Sequence, residues 1–167
     1  MRRAVVPRGT ATPAIDLPAP PRRDDHGWVS QYFEVGDLVL WNPSNGVARL
    51  YARTGEAVAP LVELPTGIGP MIADEYEIDL DVFVAFVDAL TGYYLGAQHP
   101  ILRSLMEGFL ATSIVMVQRA GRELPALREQ QRPHWWNVSV TTRGVAPTAD
   151  RDELLDLVAE HAMSMAR

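Results

Sequence analysis

Two apolar stretches, DVFVAFVDALTGYYL (81–95) and PILRSLMEGFLATSIVMV (100–117), lie in tandem with only Gly-Ala-Gln-His between them. In the first, only Asp81, Asp88 and Thr91 interrupt the apolar pattern. A helix that is apolar on nearly every face belongs inside a domain or at a subunit interface. The chain is therefore expected to build its core around this pair. The second stretch carries Arg103 and Glu107, and a bilayer span needs about 20 mostly apolar residues, so neither is read as a membrane segment. Pro100 at the first turn and Gly121 past the end delimit the second helix. Its small residues Ser104, Gly108 and Ala111 form a stripe that another helix could approach closely, and a homodimer on that stripe is one expectation.

The flanking segments are amphipathic. YFEV and LVLW, separated by Gly36-Asp37, predict a β-hairpin. Asn42-Pro43 ends the second strand, and Ser44 is placed to cap a helix. In that helix Val47, Leu50, Tyr51, Thr54, Val58 and Leu61 recur at helical spacing, with Arg49, Arg53 and Glu56 facing away. The Trp-Asn-Pro-Ser-Asn-Gly run is thus read as a strand exit, turn and cap rather than an active-site signature. Pro60 and Pro65 end the helix, and TGIGP is expected to be a flexible loop. Ile72, Tyr76, Ile78 and Leu80 then alternate with Glu75, Glu77, Asp79 and Asp81, a half-buried strand or an extended lead-in, with Asp79 or Asp81 capping the next helix. Trp136, Val138 and Val140 mark a further strand. Pro147-Thr148 starts a last helix lined by Leu154, Leu155, Leu157, Val158, Ala162 and Met165. The predicted class is α+β: one domain over residues 29–167, with about four helices and a few-stranded antiparallel sheet.

Residues 1–28 contain five prolines and little apolar periodicity, and are expected to be a disordered arm without the apolar centre of a signal peptide. With no secretory or membrane signal, the expected location is the cytoplasm. The chain has no cysteine, which excludes disulfides, thiolate nucleophiles and zinc–thiolate sites. It has no lysine either, because all 15 basic residues are arginine. That excludes a Walker-A loop, a Schiff base and a pyridoxal-phosphate anchor. The arginine usage, with abundant alanine, valine, proline and glycine, suits a GC-rich genome. Of the net charge of −6, the section 30–88 holds two arginines against ten acids. A concentration of acid there disfavours nucleic acid, whose binding wants a contiguous basic face, and favours a basic protein partner.

The strings SQYFEVGDLVLWNPSNGVARLYARTGEAVAPL, LPTGIGPMIADEYEIDLDVFVAFVDAL and HPILRSLMEGFLATSIVMVQRAG resemble a family of functionally uncharacterised small actinobacterial proteins. The resemblance runs from about Ser30 to Glu123 and implies source and domain extent, with no catalytic residues to carry over. Because it starts directly after Val29, and valine codons can start GC-rich genes, the first 28 residues are expected to be dispensable.

Candidate sites are sparse. Asp88, set in an otherwise apolar helix, is the best candidate for a carboxyl doing acid–base work. Asp88, Tyr94, His134 and Trp136 could line an apolar pocket between the two central helices and the Trp-bearing strand. Glu75, Glu77, Asp79 and Asp81 could hold a hard cation but lack calcium-loop spacing, and are read instead as a protein-interaction face. His26, His99, His134 and His161 form no paired-ligand spacing. No serine sits in a nucleophile elbow, and Gly67-Ile68-Gly69 is too short for a nucleotide fingerprint. No metal or cofactor is expected. The leading expectation is a non-catalytic interaction protein of the immunity or accessory type; the alternative is a small-molecule binder or enzyme of specialised metabolism.

Overall fold

The computed structural model describes residues 30–129, 140–141, 144–145 and 147–166. The two apolar stretches are α2 (Leu80–Gly96) and α3 (Pro100–Arg119). Every residue from Ala111 to Val117 is buried, so α3 is covered on all sides over two turns. It has the length and mean hydropathy of a membrane span (20 residues, 1.4), yet 56% of that window is buried inside the domain. That is the pattern of a core helix. Asp79 caps α2, its carboxylate accepting the Val82 N–H at 3.2 Å. Gly121, at φ +70°, ends the α3 segment in the left-handed conformation expected of a glycine past a helix end.

Two hairpins make one four-stranded sheet. β1 (Tyr32–Val35) and β2 (Leu38–Trp41) turn at Gly36-Asp37, as predicted. After α1 (Asn45–Val58) come β3 (Ile68–Ile72) and β4 (Glu75–Ile78). The order is β2-β1-β4-β3. The sheet is mixed rather than antiparallel as expected, because β1 and β4 pair in parallel. The crossover through α1 brings the second hairpin back alongside β1, so the Phe33 and Tyr76 rings stack at 4.6 Å on the inner face. Phe33 also stacks on Trp41 at 5.5 Å and meets the edge of Tyr51 at 5.2 Å. Tyr51 in turn lies against Phe109 of α3, joining sheet, α1 and α3 in one aromatic cluster.

Four local expectations change. The inward face of α1 is Ala48, Tyr51, Gly55 and Val58, while Val47 and Leu50 are 48% and 69% exposed. Small Ala48 and Gly55 let the helix settle close; a Cβ at Gly55 would stand 3.3 Å from the Phe109 ring. Ser44 occupies the cap position of α1 but makes no side-chain cap bond. TGIGP is not a loose loop: Ile68–Gly69–Pro70 belong to β3, and Gly67 (φ +73°) lies so close to α2 that a Cβ would sit 2.5 Å from the Phe83 amide nitrogen. Ile72, expected to be half-buried, is 69% exposed beside the Ala73-Asp74 turn of an edge strand.

α4 (Arg151–Ser164) starts a few residues later than expected, capped by Asp150 accepting the Asp152 N–H at 2.8 Å. Leu154, Val158 and Met165 are buried against the core, while Leu155 and Ala162 are exposed. Arg119 at the end of α3 ties the parts together, donating to the carbonyls of Leu40 at 2.8 Å and Met165 at 2.7 Å. Of the Trp-bearing strand, only β5 (Val140–Thr141) is described, paired antiparallel with β6 (Gly144–Val145).

Candidate functional site

Of the four residues expected to line an apolar pocket, Asp88 and Tyr94 are described. Asp88 is half-buried, and its Oδ1 accepts the Ala126 N–H at 2.8 Å. It thereby holds the short helical turn Pro125–Leu127 on α2, beside a surface depression shared with Leu61, Val62 and Tyr93. Tyr94 follows six residues later, about 240° around the helix, and is 5% exposed. Burial pushes its hydroxyl pKa up; Glu107 adds to the effect and Arg103 opposes it. His134 and Trp136 lie outside the described residues. In the core spanning α2 and α3, Phe86, Val87, Leu90, Leu110 and Ile114 are all fully shielded.

The expected acidic group divides in two. Asp79 is engaged as the cap of α2, and Asp81 pairs with Arg122 at 2.9 Å. Glu75 and Glu77 point out from β4, where the parallel register sets Glu77 opposite Glu34 and Glu75 opposite Tyr32. Glu34 and Asp37, not singled out by the sequence reading, complete the group. Burial, then the charges of Glu75, Glu77 and Asp37, with a hydrogen bond to Glu75, raise the Glu34 pKa above its ordinary 4.5. The signal was there: Phe33 faces in, so its neighbour Glu34 faces out. The outer face of the sheet is therefore a patch of mutually repelling carboxylates. Among the described residues, no three His, Asp or Glu side chains are grouped to hold a metal ion.

A different region has the form of a ligand site. A cleft of about 590 Å³ runs between α1 and β3, the edge strand of the sheet. The α1 wall carries Asn45, Arg49, Ala52, Arg53 and Glu56; the opposite wall carries Thr66, Ile68 to Met71 and Asp74. Gln31 and Tyr76 also line it, and both are more than nine-tenths buried. Gln31 Oε1 and Asn45 Oδ1 are shut off from solvent without a hydrogen-bond partner among the described residues. Arg53 pairs with Glu56 at 2.9 Å, while Arg49 makes no ion pair among the described residues. The hairpin wall is pinned by a bond from the Tyr32 N–H to the Asp74 carbonyl at 2.9 Å. Both turn residues, Ala73 and Asp74, adopt positive φ (51° and 69°), as a tight two-residue turn requires. The sequence reading missed this cleft. Its one trace was the Asn42–Gly46 run, which does end a strand and start a helix but also supplies Asn45 to the wall.

A shallower groove separates α1 from α3, with Val47, Leu50, Ser104, Leu105 and Gly108 on its sides. Leu50 and Leu105 are 69% and 71% exposed there.

These features define a small α+β domain whose mixed sheet is aromatic on one face and acidic on the other, with a polar cleft at its open edge. Over residues 29–167 the chain matches the model of a family of unknown function, DUF6086, and it belongs to that family. No curated protein matches it, and no solved structure does.

Proposed function

We propose that the protein is a non-catalytic interaction module of an actinobacterial cytoplasm that engages a basic protein through the outer face of its sheet. The observation that carries this reading is the acidic patch of Glu34, Asp37, Glu75 and Glu77, where burial and then the neighbouring charges raise the Glu34 pKa. Carboxylates held together on a rigid sheet are relieved when an arginine- or lysine-rich surface docks on them, and such docking is steered and salt-dependent. An immunity-type or accessory role is one that such docking would serve. Neutralising Glu34, Glu75 and Glu77 to glutamine leaves the core untouched. Wild-type protein immobilised in native lysate at low salt should retain a basic protein that elutes at about 0.5 M salt and that the triple variant does not hold. Recovery of nothing specific, or of the same protein by both forms, would defeat the reading.

The exposed Leu50 and Leu105 beside the Ser104–Gly108 notch support homodimerisation as a second reading. Light scattering at high concentration should show a dimer that Leu105→Asp abolishes; monomer alone in the wild type would remove it.

A further inference from the structure

We infer that the polar end of the α1–β3 cleft binds a small carboxylate that also carries N–H donors, the chemistry of a free amino acid. This surface is separate from the acidic sheet face and does not depend on the proposal made for it. The reason to look here is the pair of amide groups. Buried polar groups are nearly always partnered, and one left unpaired costs about 1–3 kcal/mol. Gln31, only 6% exposed, and Asn45 both line the cleft, and each holds one such oxygen turned away from solvent. Rotation about a terminal amide torsion is soft, so either group can turn its oxygen toward an occupant. Carbonyl oxygens without donors select a ligand with N–H groups to give.

The charges specify the rest. Arg49 lies one helical turn beyond Asn45 on the same wall, with its guanidinium outside any ion pair among the described residues. A planar guanidinium grips a carboxylate bidentately. Its neighbour Arg53 is already engaged by Glu56 at 2.9 Å, so the two arginines are not equivalent. Asp74, held at the hairpin tip on the opposite wall, offers the negative charge that an ammonium group would seek. The cation on one wall and the anion on the other suit a zwitterion better than a simple anion. Tyr76 and Met71 add apolar surface for a side chain, and the volume falls within the usual range for small-molecule sites.

The test uses the full chain and the twenty free L-amino acids, read by thermal shift and calorimetry, with methyl esters and des-amino acids as matched arms. At least one amino acid should raise Tm and bind with Kd below about 1 mM. Its ester and its des-amino form should both bind at least tenfold more weakly. Arg49→Gln, a change at an exposed position, should weaken binding at least tenfold. Gln31→Met should also weaken it while leaving the free protein at least as stable as wild type. No binding by any of the twenty at about 10 mM, equal binding of acid and ester, or binding unchanged in both variants would each overturn the inference.

Discussion

The two flanks of α1 treat polar groups in opposite ways. On the core side, the Tyr51 hydroxyl lies 2.7 Å from Ser113 Oγ, and Ser113 donates onward to the Phe109 carbonyl at 2.8 Å. Tyr51 is shielded, burial pushes its pKa upward, and its polar atom is satisfied. On the cleft side, Gln31 and Asn45 leave buried amide oxygens unpaired among the described residues. The difference teaches where the fold is complete by itself. The core flank uses a backbone carbonyl of α3 to close its network. The cleft flank faces an edge strand, and no described side chain reaches its amides.

Replacing residues on the two flanks should separate them, with effects of different size and sign. Phe33→Ala removes a ring that is fully shielded and touches three other aromatic rings. Chemical denaturation should show a loss of about 3–5 kcal/mol; a loss under about 1 kcal/mol would mean that the cluster is loosely packed. Tyr51→Phe keeps the ring and deletes one buried bond, leaving Ser113 its bond to Phe109. A loss of about 1 kcal/mol is expected, and no loss would show the hydroxyl to be idle. Gln31→Met should move the other way, gaining up to about 1 kcal/mol because it deletes an unsatisfied amide of similar shape. Destabilisation there would show that Gln31 has a partner and would erase the contrast.

The smallest expected effect lies on the outer face of the sheet. The Glu34 pKa is raised in the folded protein, so its carboxylate destabilises the fold at neutral pH, and protonation removes that penalty. Glu34→Gln should therefore melt slightly higher than wild type at pH 7. The gap should begin to close as pH falls through the raised folded-state value and be gone below the ordinary 4.5. A gap independent of pH would dissociate Glu34 from the carboxylate patch.

Much of the fold was legible because its signals are local. Gly36-Asp37 between two apolar runs specified a hairpin, and the tandem apolar stretches specified two buried helices. The inward face of α1 was misread because large apolar residues dominate a periodicity argument. Ala48 and Gly55, which matter by being small, give no hydrophobic signal. Asp88 drew attention as a polar residue in an apolar helix, but the partner that explains it, the Ala126 amide, is 38 residues away in sequence. Gln31 was passed over because residues that share its cleft, Asn45 and Asp74, are distant from it in sequence.

Residue order by itself determined the first hairpin, the two buried central helices, and which reagents of catalysis the chain lacks. Tertiary structure alone decided that β4 lies parallel to β1, that four acids from two hairpins share one surface, and that a helix and an edge strand enclose unpaired amides. Periodicity is fixed by the geometry of one element, whereas register and unmet hydrogen bonds arise only where separate elements meet.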